Sequence, residues 1–407
     1  MVSKDQKLEK SITFLIKVMN GGGAERVISI LSSAMVQRGA DVTLILTHQK
    51  LEDAVLRDID DRIKVISLED SIAKYPEKKI GAKAMMLYGR MLGKASRILR
   101  KKESETGLIC KYYAREYKKV SWLREYFKQH DKNAVIAFLY DSIFLTLGTV
   151  TKTNKVIISE RGDPEQSKDS KTTMAFLHKA FPKANEIVFQ SPDVQQWYRE
   201  NMHVEGRVIF NPIKADLPER YCGERQKKIV NFCRISRQKN IELLVDAFAL
   251  FHREYPAYEL YIYGDPVGDL TDGYLELLKK RIAEKALQDK IHISGSIKDI
   301  HSVISDYAMF VSSSDFEGMS NSMLEAMAIG LPCICTDCPA GGARAIIKDH
   351  QNGILVPVRD TNALYRAMKE IAEDPVLAER LSENGTAIKD ELALEKIIEN
   401  WLESIND

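Results

Sequence analysis

Short apolar runs rich in β-branched residues recur along this chain, each followed by a segment with the spacing of an amphipathic helix. They cover residues 11–19, 41–47, 63–68, 133–139, 155–159, 186–190, 228–233, 258–264, 291–297, 308–314, 333–336 and 353–357. Runs that are continuously apolar belong to strands covered on both faces, and helical crossovers impose parallel pairing. The order is kept in both halves, so the fold class is α/β, with each half a Rossmann-like, doubly wound parallel sheet. At 407 residues the chain exceeds one ordinary domain, and two of about 200 residues follow. Residues 214–228, rich in charge and interrupted by Pro218, read as the linker. The domains expected are 1–212, 213–380 and a terminal helical segment, 381–407.

Composition excludes several classes. A net charge of +1 and 44% hydrophobic residues describe a globular chain, not a disordered tail. No apolar run approaches the roughly 20 residues of a membrane span, and residues 1–10 lack the apolar core of a signal peptide. Six cysteines in so long a chain suggest a reduced, cytoplasmic protein rather than a disulfide scaffold. Cys333, Cys335 and Cys338 lack the paired spacing of a zinc site; Cys333 and Cys335 read as small apolar residues alternating along a buried strand. Charge is uneven, however. Residues 74–132 hold 17 basic and six acidic residues, interleaved with Met85, Met86, Leu87, Met91, Tyr112, Tyr113, Tyr117 and Trp122. Such a stretch reads as a solvated helix face or as a docking surface for an anionic membrane or lipid carrier, which would make the protein peripheral on the inner face of the membrane. No nucleic-acid motif accompanies it.

The first apolar run ends in Asn20-Gly-Gly-Gly23, followed by a helix from Ala24 to Arg38 and a second strand. This βαβ unit has a glycine-rich first turn, where backbone can approach a ligand closely. It is not G-x-G-x-x-G and has no acidic residue placed for a dinucleotide ribose, so a nicotinamide cofactor is not indicated. Asp58-Ile-Asp60-Asp61 has the look of a metal-binding Asp-x-Asp, but its place between a helical stretch and a strand favours an exposed loop. Glu160, Arg161 and Asp163 stand at the carboxyl end of a strand, where polar residues are well placed for a site. Glu160 and Arg161 read as ligand-binding groups, a hydroxyl for Glu160 and a phosphate for Arg161, or as a structural ion pair.

The densest constellation is Asp315-Phe-Glu-Gly-Met-Ser-Asn-Ser-Met-Leu-Glu325. It turns a strand into a helix expected over 322–329 and ended by Gly330 and Pro332. Glu317 falls outside the helix and Glu325 inside it. The N–H groups of Gly318, Met319 and Ser320 would point into the crevice at the strand's carboxyl end, where phosphates bind. Ser322 and Glu325 also fit a capping box. Upstream, Arg234, Arg237 and Lys239 open a helix; a guanidinium and an ammonium beside a helix N-terminus suit a diphosphate.

Two glutamates separated by seven residues, within Phe-Glu-Gly-Met-Ser-Asn-Ser-Met-Leu-Glu-Ala-Met-Ala, resemble the paired-glutamate motif of family 4 glycosyltransferases. Arg234 to Asn240 resembles that family's Gly-Arg-x-x-x-x-Lys-Asn element, with Cys233 for the glycine. Asn-Gly-Gly-Gly-Ala-Glu-Arg-Val is similar to its first loop. The resemblance implies the GT-B fold, two Rossmann-like domains facing across a cleft, with the last helix returning to the first domain through Trp401 and Leu402. It implies retaining, metal-independent sugar transfer in cell-surface polysaccharide assembly, with no cofactor. The donor would be a nucleotide diphosphate sugar, UDP-linked, and the acceptor a glycan or polyprenyl-diphosphate-linked sugar. Glu317, with Asn321, would hold the donor sugar. Arg234, Lys239, Gly22, Gly23 and the 318–320 N–H groups would hold its diphosphate. Glu325 would hold the ribose, and Gly264, Ser296 and Ile297 would lie against the base. Glu160 and Arg161 stand where the family often has a histidine. A nucleotide-sugar epimerase on the same fold, or a silent partner of a true transferase, are the alternatives.

Overall fold

The computed structural model describes residues 10–56, 59–73, 91, 104–266 and 273–406. Two compact units divide the chain, one comprising 1–209 and 398–407, the other 210–397. In the first, β1 (Ser11–Ile16), β2 (Asp41–Leu46), β3 (Lys64–Ser67), β4 (Ala134–Phe138), β5 (Lys155–Ser159), β6 (Glu186–Phe189) and β7 (Arg207–Val208) form one parallel sheet in the order β3-β2-β1-β4-β5-β6-β7. In the second, β8 (Gln226–Phe232), β9 (Glu259–Tyr263), β10 (Ile291–Ser294), β11 (Tyr307–Ser312), β12 (Cys333–Thr336) and β13 (Ile354–Val356) pair in the order β10-β9-β8-β11-β12-β13, again all parallel.

Sequence and sheet order together fix where ligands can bind. In each unit the chain runs outward from a central strand, then returns to that strand's other side. The reversals fall between β1 and β4 and between β8 and β11. At such switch points the loops after neighbouring strands diverge and leave a crevice at their carboxyl ends. The loops after β8 and β11 carry Arg234–Asn240 and Ser313–Ser320.

The strands hold because both faces are covered. All five residues of β4 are buried, and the core of the second unit runs from Ile229 and Leu260 through Phe248 and Phe251 to Ile334 and Met368. Cys333 and Cys335 lie buried in β12 as small apolar residues. Residues 398–407 belong to the first unit, where fully buried Trp401 stacks on Phe138 with ring centroids 5.8 Å apart.

Three local expectations are corrected. Pro339-Ala-Gly-Gly-Ala343 reads in sequence as the opening of a helix, but residues 339–347 form turns, such as Ala345 N–H to the Gly341 carbonyl at 3.0 Å; Gly341 sits at φ +72°, which breaks a helix. The first strand ends at Ile16, and Met19 N–H instead donates to Gln49 Oε1 at 2.6 Å. Of the basic stretch 74–132, residues 74–90 and 92–103 lie outside the described residues, as does Asp58. Within the helices Glu105–Arg115 and Tyr117–Gln129, part of the expected docking chemistry is spent internally. Lys119 is buried between Glu69 (2.9 Å) and Glu116 (3.4 Å). Tyr112 and Tyr113 pack edge-on against Phe176. Asp60, the described half of the Asp-x-Asp, accepts bonds from Arg62, which hold its carboxyl down to about 2.

Candidate active site

The loops after β8 and β11 are sewn together by side chains. Lys239 Nζ donates to Glu317 Oε1. Gln238 Nε2 donates to the Phe316 carbonyl at 2.8 Å and to Glu317 Oε1 at 3.3 Å. Asp315 anchors the arrangement: its N–H reaches the Gln238 carbonyl at 2.9 Å, Oδ1 accepts from Asn240 Nδ2 at 2.8 Å, and Oδ2 accepts from Arg359 Nε and Nη2 at 3.0 and 2.8 Å. Asn240 and Arg359 both occupy left-handed backbone, at φ +42° and +60°. A non-glycine residue stays there only when its surroundings hold it.

Glu317 and Lys239 thus form an ion pair at the switch point, with 16% and 12% of their side chains exposed. Burial acts to discharge the Lys239 ammonium, but Glu317 outweighs it and leaves its pKa above the ordinary 10.5. Arg234 is exposed and close enough to push Lys239 the other way. Cys233, where the resembling family has glycine, lies in the same field, its thiol pushed up to about 11 by burial. The N–H groups of Gly318, Met319 and Ser320 find no acceptor among the described residues.

Glu325 differs from one sequence expectation. The helix spans Asn321–Ala328 and its cap is Ser320, whose Oγ accepts from Met323 N–H at 3.3 Å. Glu325 is therefore not part of a Ser322 capping box. Its Oε2 lies 2.8 Å from Nε2 of His301, a partner with no local signal in sequence. Asn321 accepts from Asn211 Nδ2 at 2.6 Å. Toward the other edge, Gly264 takes φ +149°, with the Cys233 carbonyl 1.8 Å from where a Cβ would stand. Ser296 donates through N–H (3.2 Å) and Oγ to Asp265, and Ile297 is 40% exposed.

Gly342 packs closely against the turn that follows β11. A Cβ there would meet the Gly318 carbonyl oxygen at 1.7 Å, and backbone cannot swing away as a flexible side chain can. Gly342→Ala is expected to displace the 317–320 turn, costing about 1–3 kcal/mol of stability from overpacking. Thermal melting and nucleotide binding measured on the same protein check it; an unchanged melting temperature with unchanged binding would refute the tight contact.

In the first unit, the glycine loop is closed by Glu25, whose Oε2 accepts from Asn20 N–H (2.6 Å) and Gly22 N–H (2.5 Å). The Gly22 amide, expected at a diphosphate, is thus turned to this carboxylate. Gly23 begins the helix Gly23–Gln37. Glu160, read from the sequence as an acceptor-binding group or half of a structural ion pair, is buried: Oε1 accepts from the N–H groups of Arg161 (3.0 Å) and Gly162 (2.9 Å), and Oε2 from Tyr198 Oη (3.0 Å). Burial raises its pKa against the pull of those bonds. The Arg161 guanidinium lies 4.4 Å from the Phe138 ring centroid. Both side chains are drawn into the packing of the first unit rather than into an open surface.

Comparison with known proteins locates the same region. Residues 218–388 match the family model described as Glycosyl transferases group 1, a segment that lies wholly within the second unit and contains both sewn loops. The chain is 31% identical over 204 residues, 48% of its length and 53% of the relative's, to a Campylobacter jejuni N-acetylgalactosamine-N,N'-diacetylbacillosaminyl-diphospho-undecaprenol 4-alpha-N-acetylgalactosaminyltransferase. It is 27% identical over 170 residues, 41% of its length and 32% of the relative's, to the GtfA subunit of a Streptococcus pneumoniae UDP-N-acetylglucosamine–peptide N-acetylglucosaminyltransferase. The chain spans between about a quarter and a half of the first such relatives. Over 98% of this chain and all of the other, the fold superposes with a TM-score of 0.75 on Staphylococcus aureus TarM, solved with fondaparinux, alpha-GlcNAc-glycerol and UDP, at 15% identity. The two parallel-sheet, Rossmann-like units are those of GT-B structures.

Proposed function

We propose that this chain is a glycosyltransferase that moves a sugar from a nucleotide diphosphate donor, UDP-linked, to a glycan or lipid-linked acceptor, with retention and without a metal. The observation that carries the reading is the Lys239–Glu317 pair at the β8/β11 switch point, inside the segment matching the group 1 family. Breaking the bond between sugar and diphosphate builds positive charge at the sugar carbon and negative charge on the leaving phosphate. Groups preorganised for both charges lower that barrier. Glu317 faces the cationic carbon and holds sugar hydroxyls with Asn321. Lys239, Arg234 and the N–H groups of residues 318–320 take the phosphate oxygens. Glu325 accepts from the ribose, and the Gly264 and 296–297 edge meets the base. No protein nucleophile is invoked; the acceptor attacks from the face the diphosphate leaves. The pairing of Lys239 with Glu317 before the donor arrives keeps both charges compensated until phosphate and sugar replace each as the other's partner.

The test is one incubation: purified protein with a panel of nucleotide sugars and glycan or lipid-diphosphate acceptors, scoring released nucleotide in excess chelator. Acceptor-dependent release is expected, undiminished by the chelator because fixed cations serve as the counter-charge. No release from any donor contradicts the reading, and a loss restored by magnesium contradicts metal independence.

A further inference from the structure

We propose that His301 is a positioning residue for nucleotide binding: it fixes the Glu325 carboxylate in the orientation that receives the ribose. The inference rests on the reading of Glu325 given above and adds a partner to it. His301 lies on the short helix Ile300–Ile304 and Glu325 on the helix Asn321–Ala328, so β11 separates them along the chain. Their contact is nonetheless short, 2.8 Å from Nε2 to Oε2, and nearly sealed, with 12% and 7% of the two side chains exposed. A carboxylate oxygen only accepts, so Nε2 is the donor in this bond. The ring's own orientation is set by Phe232, the last residue of β8, which meets it edge-on at 5.9 Å and 89°; Phe310 supports Phe232 at 5.2 Å.

The geometry matters because Glu325 has a flexible side chain on a helix face. A glutamate side chain has several rotamers in principle, and a ribose that accepts only one orientation gains from a contact that favours it. With Oε2 tied to His301, that entropy is lost on folding rather than on binding, which is how a second layer of contacts sharpens a site. A purely structural clip between two helices would give the same contact, but it would not distinguish ligands that carry ribose hydroxyls from ligands that lack them.

That difference is the test. UDP, ADP and GDP are titrated calorimetrically into the wild-type chain, and the tightest is compared with its 2′,3′-dideoxy analogue. In His301→Ala, affinity for the ribonucleotide is expected to fall about tenfold, the scale of one hydrogen bond to a charged group. Affinity for the dideoxy analogue should stay at its wild-type value. His301→Gln, whose amide nitrogen reaches near the Nε2 position, should restore most of the loss, and it also serves if the alanine variant fails to fold. Equal affinity of wild type and both variants for the ribonucleotide, or equal losses for the two ligands, overturns the positioning role. Absence of any nucleoside diphosphate binding by the wild type contradicts the function proposed above instead.

Discussion

Glu317→Gln is expected to lower the rate of the proposed sugar transfer by about 10²–10³, the usual effect of removing one preorganised group that stabilises transition-state charge. The substitution keeps shape and a carbonyl oxygen for Lys239, so the 313–320 loop retains its bonds through Asp315 and Ser313. In the proposed reaction it removes the negative charge that would face the sugar carbon as the diphosphate departs. Lys239 then loses its counter-charge. Breaking a fully buried pair costs about 3–5 kcal/mol, and because both partners here keep some exposure the fall in melting temperature is smaller than that figure implies. Turnover at saturating donor, with circular dichroism to verify folding, decides the matter. A variant with near wild-type turnover would remove Glu317 from the chemistry.

Lys239→Met is the second large effect. It removes the fixed positive charge proposed to hold the diphosphate while keeping an unbranched chain of similar length. Loss of about 10²-fold or more in kcat/KM is expected. Glu317 is also left without its ammonium, so the double variant Lys239→Met/Glu317→Gln should lose little more than either single one. Additive losses would mean the two act independently and would contradict the pair. The pair also has a pH signature. A lysine whose folded pKa lies above its ordinary value supplies stability that is complete below that ordinary value and is lost as pH rises through the folded one. The Lys239 contribution should therefore disappear only at strongly alkaline pH. Melting scans of wild type and Lys239→Met should converge there.

What the sequence disclosed follows from what is local. Both parallel sheets are legible because their strands are unbroken apolar runs between helical spacings. The end of the helix at Ala328 is legible in Gly330, which takes φ +75° while Gly330 and Leu331 donate to the Met327 and Ala326 carbonyls, both at 2.9 Å. The cap of the helix Thr361–Glu373 is legible in Asp360, which accepts from Ala363 N–H at 2.8 Å. What stayed hidden depends on register between distant elements. His301 precedes Glu325 by 24 residues and meets it only because β10 and β11 lie where they do. Arg359 reaches Asp315 across 44 residues. Glu25 was readable as a helix residue but not as the acceptor for the glycine loop. Residues 339–347 misled because a Pro-Ala-Gly-Gly start resembles a helix opening. Contact of Gly342 with the Gly318 carbonyl demands a turn there instead.

The anomeric configuration of the product tests the central claim most directly. Purified protein is incubated with the accepted α-linked nucleotide sugar and acceptor, and the new linkage is read by proton NMR while nucleotide release is counted against acceptor glycosylated. An α-linked product formed one-to-one with released nucleotide, and formed about 10²–10³-fold more slowly when Glu317→Gln replaces the wild type, is the predicted result. A β-linked product, free sugar in place of a glycosylated acceptor, or product formed at the wild-type rate by the Glu317→Gln protein would contradict it.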